Sequence, residues 1–287
     1  MAKLWLGAPV WSCRAWSGLV WPSATKPADF LAHYARVFNA VEGNMTFYAV
    51  PQRDTVARWR DETPSGFRFC CKLPRTITHD RMLVRAEREL DEFVALLHVL
   101  GERAGPTMIQ LPPGFAPKQL PALAAVLARV PDTLRFAVEP RHPSFFDGGA
   151  AHRELDDLLR EHDVDRVVFD TTVLHASEDR DPIVVAAQSR KPCLPVHEIA
   201  TASHPIVRIV GVSDADACAP AFDRWAARAA AWISEGRSPT LFVHTPDDRE
   251  VPRLAALLHA KVSQHVDVGK LPPFVDRSDR QISLFDR

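Results

Sequence analysis

A chain of 287 residues with 46% hydrophobic and 25% charged side chains can bury one large core, and this composition excludes an intrinsically disordered protein. The net charge of −1 supplies no strong direct field for nucleic acid, which excludes a generic DNA-coating protein and leaves only local basic patches. No apolar run approaches the roughly 20 residues of a membrane span, and Pro9 and Arg14 interrupt the first run too early for a secretory signal. No membrane association and a cytoplasmic location are therefore expected.

Eight short apolar runs, each finishing on a polar or charged residue, read as strands. LWLGAPVW (4–11) leads into a loop carrying Trp11, Trp16 and Trp21, and then into the helical segment KPADFLAHYARVF (26–38). AVEGNMTFY (40–48) precedes DTVARWRDE (54–62), and RFCCKLP (68–74) precedes AERELDEFVALLHVLG (86–101). In the latter, Leu90, Phe93, Leu97 and Leu100 recur at helical spacing and Gly101 ends the pattern. PTMIQLP (106–112) and RFAVEPRH (135–142) are followed by LPALAAVLARV (120–130) and GAAHRELDDLLREHD (149–163). DRVVFDT (165–171) breaks the rhythm: a long connection, 171–204, rich in charge, Pro and His, reads as a functional lid. PIVRIVG (205–211) and TLFVHTP (240–246) then precede APAFDRWAARAAAWISEG (219–236) and DDREVPRLAALLHAKVSQHV (247–266). Strand and helix repeated eight times predict an α/β fold, a single-domain (β/α)8 TIM barrel over residues 1–265 with a flexible C-terminal tail over 266–287.

Active sites of such barrels lie at the carboxyl ends of the strands. Alternation puts Glu42 with Asn44, and Glu139 with Arg141, on shared faces. Glu42, Lys72, Gln110, Glu139 and Arg141 are expected to form a polar arc that Asp170, Arg208 and His244 close. Three carboxylates against three fixed cations permit either a balanced ion-pair network that braces the barrel or a ligand site with a cationic half. In the ligand-site reading Glu42, Lys72, Glu139 and Asp170 are the catalytic candidates, and Glu42 or Glu139 is the acid or base. Asn44, Tyr48, His79, Gln110, Arg141, His142, Arg208 and His244 are the substrate-binding candidates. Lys72 is a Schiff-base candidate if burial lowers its pKa. The tryptophans after the first strand either stack a planar ligand or pack the loop.

No cofactor is predicted. A divalent metal held by Glu42, Glu139, Asp170, His142 and His244 is the competing arrangement, but metal-ligand spacings are missing and three nearby cations oppose it. The five cysteines, Cys13, Cys70, Cys71, Cys193 and Cys218, contain no C-x-x-C pair and are expected as free thiols, Cys70 and Cys71 facing opposite ways.

VEGNMTFY (41–48), TPSGFRFCCKLPRTITH (63–79), MIQLPPGF (108–115), FAVEPRHPSFF (136–146) and VRIVG (207–211) together resemble the family known as domain of unknown function 72, or YecE-like, from about Leu4 to about Leu258. The resemblance implies a barrel and no settled activity. The chain departs from the family pattern at GAPVWSC near its start, at Val210 where a histidine is usual, and at His244 and Thr245 where paired asparagines are usual.

In the tail, Gln281-Ile282-Ser283-Leu284-Phe285 is similar to the peptide that docks on the bacterial DNA sliding clamp, with Leu284 and Phe285 as anchors and Gln281 at the rim. Such a tether raises the local concentration near DNA without a basic face. The expected function is an acid/base enzyme, of hydrolase or lyase type, acting on a phosphate-bearing or nucleic-acid-derived substrate. The alternatives are a metal-dependent phosphodiesterase or endonuclease of the barrel type, and a non-catalytic clamp-tethered binding module.

Overall fold

The computed structural model describes residues 2–275. The strands are β1 (Trp5–Ala8), β2 (Ala40–Gly43), β3 (Arg68–Cys71), β4 (Thr107–Gln110), β5 (Phe136–Glu139), β6 (Asp165–Arg166), β7 (Val168–Asp170), β8 (Ile206–Val210) and β9 (Thr240–His244). They pair in parallel in the orders β3-β2-β1-β9-β8-β7 and β4-β5-β6. Two junctions join these arrays into the closed barrel. Lys72 bridges Met108 between β3 and β4. Segments β6 and β7 are halves of one strand interrupted at Val167, whose N–H still donates to Val138 O on β5 at 2.8 Å. The lower half pairs with β5 and the upper half with β8.

The surrounding helices are α1 (Phe30–Val37), α2 (Met45–Tyr48), α3 (Arg53–Asp61), α4 (Glu87–Leu97), α5 (Leu120–Arg129), α6 (Ala150–Glu161), α7 (Thr172–Ala176), α8 (Pro182–Arg190), α9 (Ala215–Ser234) and α10 (Val251–Ser263). Their amphipathic faces cover the outward side of the strands. From α1, the buried Tyr34 hydroxyl accepts the Ala8 N–H at 2.8 Å and donates to Ala40 O at 2.7 Å, tying β1 to β2. Gly7 is required here, since a Cβ would lie 2.0 Å from Ala40 O.

Three details differ from the sequence-based expectation, and one alternative left open there, at the Trp-rich loop, is decided. MTFY turns into the short α2 instead of extending β2, because Thr46 Oγ1 accepts the Lys72 N–H at 3.0 Å and draws the chain across the barrel mouth. The 171–204 connection folds in part into α7 and α8. The Trp-rich loop is packing, not a ligand platform: Trp16 stacks with Tyr34 and Trp21 with Phe30, all four buried. Residues 266–275, expected as the start of the flexible tail, lie against the barrel, with Val266, Val268, Leu271 and Phe274 packed on the core and Val275 N–H donating to Leu19 O at 2.9 Å.

Inside the barrel Ala40, Cys70, Met108, Ala137, Val167, Ile206 and Phe242 form an apolar plug. Two residues further along each strand, and so on the same inward face, stand Glu42, Lys72, Gln110, Glu139, Phe169, Arg208 and His244. The mouth is therefore a charged layer seated on a dry one.

Candidate functional site

Glu42 is the hub of this layer. Its Oε1 accepts Arg208 Nη2 at 2.7 Å and pairs with Lys72 Nζ at 3.0 Å. Its Oε2 accepts Arg208 Nε at 2.8 Å and lies 2.9 Å from His244 Nε2. Glu139 is its counterpart across the mouth, pairing with Arg141 through Oε1 and accepting Arg208 Nη1 through Oε2 at 2.6 Å. Lys72 Nζ also donates to Gln110 Oε1 at 3.2 Å. Glu42, Glu139, Lys72, Arg208 and His244 are all buried, so each ion forfeits hydration that only these contacts replace.

The proton affinities follow. Burial raises the Glu42 carboxyl, but Arg208, Lys72 and His244 outweigh it and hold the group well below the carboxylate range. Burial likewise raises the Glu139 carboxyl, but Arg141 and Arg208 outweigh it and bring the group down to about 2. Both stay ionised, with their oxygens engaged, so neither is placed to act as the acid or base expected of it. Burial, with Arg208 beside it, lowers Lys72 to about 8 against the pull of Glu42 and Glu139. Burial lowers His244 to about 4, so its imidazole is neutral and Nε2 carries the proton donated to Glu42. Burial depresses Arg208 too, but Glu139 and Glu42 leave it raised overall.

Above the layer lies a cavity of about 460 Å³ lined by Lys72, Gln110, Arg141, Phe169, Arg208 and His244 from the strand ends, with Asn44 and Tyr48, and by Arg190, Lys191 and Asp248 from the loops. Asn44 Nδ2 donates to Pro9 O at 3.0 Å, while Tyr48 is 79% exposed at the rim.

Three expected site residues stand elsewhere. Asp170 does not close the arc: Phe169 pairs in register with the inward Arg208 and Asp170 with Ile209, so Asp170 points outward to the helices. There its Oδ1 accepts the Thr172 N–H at 2.9 Å and the Thr172 hydroxyl at 2.6 Å, and its Oδ2 accepts Trp225 Nε1 at 2.7 Å and pairs with Arg224. His79 sits in a π-helical turn, Thr76–Asp80, with its ring edge-on to Phe47 and Nδ1 2.9 Å from the Thr78 hydroxyl, outside the cavity lining. His142 accepts the Ser144 N–H at 3.2 Å and caps the turn Pro143–Phe145.

Removing Asp170 breaks the expected charge balance. The layer holds two carboxylates against Lys72, Arg141 and Arg208, and Lys191 and Arg190 on the loops bring the lining cations to five. The cavity lining contains one carboxyl among the described residues, Asp248, which burial raises to about 6. The metal arrangement loses the same ligand, and among the described residues no group of three or more His, Cys, Asp or Glu side chains is disposed to hold an ion.

Lys191, Asp248 and Phe169 were not among the sequence candidates. The unusual length of the 171–204 connection was the signal for Lys191. Asp248 gave none, since its role depends on a left-handed backbone position (φ 59°) and on Trp16 Nε1 donating to its carbonyl at 2.7 Å. Among the described residues all five cysteines are free thiols, Cys70 facing the barrel interior and Cys71 the helices, and no helix is long and apolar enough to cross a membrane. The clamp-like residues Gln281, Leu284 and Phe285 lie outside the described residues.

The family model for "Protein of unknown function DUF72" matches residues 5–277. The chain is 36% identical over 276 residues to the UPF0759 protein YecE of Escherichia coli, covering 96% of this chain and 98% of the relative. A DUF72 protein of Enterococcus faecalis superposes with a TM-score of 0.72 at 15% identity, covering 94% of this chain and 98% of that one. A DUF72 protein of Thermotoga maritima does so with 0.68 at 22%, covering 91% and 99%. The match spans all nine strands, and the chain belongs to the DUF72 family.

Proposed function

We propose that the protein is an enzyme that binds a phosphate-bearing or nucleic-acid-derived substrate in the barrel mouth and turns it over by acid–base chemistry. The observation that carries this reading is the cation surplus around the cavity, where Lys72, Arg141, Arg208 and Lys191 surround a space with Asp248 as its lining carboxyl. Buried cations in excess of carboxylates are stabilised by an anionic ligand. Glu42 and Glu139 are holders of the cations, and the proton carriers are two lining groups that burial brings closest to neutral pH, Asp248 and Lys72. At neutral pH Asp248, at about 6, is the acceptor, and Lys72, at about 8, is the donor.

Titration of the full chain with inorganic phosphate tests the site. Lys72→Met and Arg141→Met are each expected to weaken binding by about 10-fold or more, the worth of one charge-assisted hydrogen bond. Wild-type protein that binds no phosphate, or variants that bind it as well as wild type, count against the site.

The clamp-like peptide supports a nucleic-acid-derived substrate and action near DNA, in the cytoplasm. Deletion of residues 281–285 is expected to abolish association with a bacterial sliding clamp, and unchanged association rejects the tether.

A further inference from the structure

We propose that the ligand carries two anionic groups, an inner one held by Lys72 and Arg141 at the strand ends and an outer one held by Lys191 on the connection between β7 and β8. This rests on the anion-binding reading of the cavity and adds a second, separate charge to it.

Donor accounting points to an inner subsite with limited capacity. Arg208 directs Nε, Nη1 and Nη2 at Glu42 and Glu139, so it holds the layer together. Arg141 spends Nε and Nη2 on Glu139 and keeps Nη1 for another partner. Lys72 spends two of its three donors on Glu42 and Gln110. What remains suits one tetrahedral or carboxylate anion.

Lys191 stands apart from this network. Among the described residues no carboxylate lies within ion-pair distance of it, although it is half-buried and lines the cavity. Burial, then Arg208, lowers its proton affinity, so its charge is held at a cost that a bound anion would offset. Its position is set by the backbone: His175 Nε2 lies 3.1 Å from Lys191 O, and the Thr171 hydroxyl donates to Pro192 O at 2.8 Å. The ammonium is 5.8 Å from the centroid of Phe169, while Arg141 Cζ is 4.1 Å from the same centroid. One ligand can therefore reach both.

Size agrees with charge. The cavity of about 460 Å³ far exceeds a single tetrahedral anion and falls in the range of about 300–1,000 Å³ usual for small-molecule sites.

Calorimetric titration of the full chain with methylphosphonate and with methylene-, ethylene- and butylene-bisphosphonate tests the second subsite. At least one bisphosphonate is expected to bind about 10-fold more tightly than methylphosphonate, the worth of one further charge-assisted contact. Lys191→Met is expected to remove that gain, bringing bisphosphonate and methylphosphonate affinities to within about 2-fold of each other, whereas Lys191→Arg, which keeps the charge, retains the gain. Equal affinity for single and double anions, or equal weakening of both by Lys191→Met, overturns the outer subsite while the inner one stands. Loss of the gain in both variants with a lowered melting temperature assigns the effect to loop packing and also overturns it. Wild-type protein that binds no methylphosphonate overturns the inner site and this inference together.

Discussion

Glu42→Gln is the sharpest probe of how the charged layer is held. The substitution keeps the shape of the side chain and removes its charge, while Arg208, Lys72 and His244 still direct donors at both of its terminal atoms. One carboxylate oxygen becomes an NH2 group, so a donor faces donors in a site with almost no water access. Breaking a buried ion pair from one side costs about 3–5 kcal/mol. At roughly 2 °C per kcal/mol for a domain of this size, the melting temperature should fall by about 6–10 °C. Calorimetry at neutral pH measures this, with Glu250→Gln as a control, since the Glu250–Arg253 pair is partly exposed and worth no more than about 1 kcal/mol. The folded-state affinity of Glu42 for protons is depressed below its ordinary 4.5, so its contribution is complete above that value and is lost as pH falls below it. The gap between wild type and variant should close in acid. A melting temperature within about 2 °C of wild type, or a gap that persists at low pH, refutes the role of Glu42 as hub.

Asp170→Asn separates scaffold from site: it should cost about 1–3 kcal/mol through the lost contacts to Arg224, Trp225 and Thr172 and leave phosphate affinity unchanged. A drop in affinity at unchanged stability would return Asp170 to the site. His244→Asn should flatten the acid limb of stability, because folding holds His244 at about 4 against its ordinary 6.5. The unfolded chain takes up a proton that the folded chain refuses, so the wild type loses stability as pH falls through 6.5 toward 4. Parallel stability curves for the two proteins would contradict this. Lys72 acts at the other end: its folded value of about 8 lies below 10.5, so its contribution rises with pH across that window, and Lys72→Met should abolish the rise in denaturant titrations.

Much of the barrel was legible in the primary structure because most strands lie in apolar runs and most of the outer helices carry a helical repeat of apolar residues. Strand alternation also located Glu42, Lys72, Gln110, Glu139, Arg208 and His244 on one inward layer, two residues beyond the apolar plug. Alternation failed at the sixth strand for a physical reason. Both faces of a parallel barrel strand are buried, so Val167 and Phe169 look no more inward than Val168 and Asp170. The interruption at Val167 removes the remaining cue.

What the amino-acid order determined by itself was therefore local: the succession of strand and helix, the spacing that puts polar residues at strand ends, and the long connection after the sixth strand. Tertiary structure decided the charge count. Pairing Phe169 with Arg208 turns Asp170 away from the mouth, and the folded connection turns Lys191 toward it, so a set of three carboxylates and three cations becomes an excess of cations. That difference depends on which residues meet across the barrel and how far water is excluded from them. Neither quantity is carried by residue type or spacing along the chain.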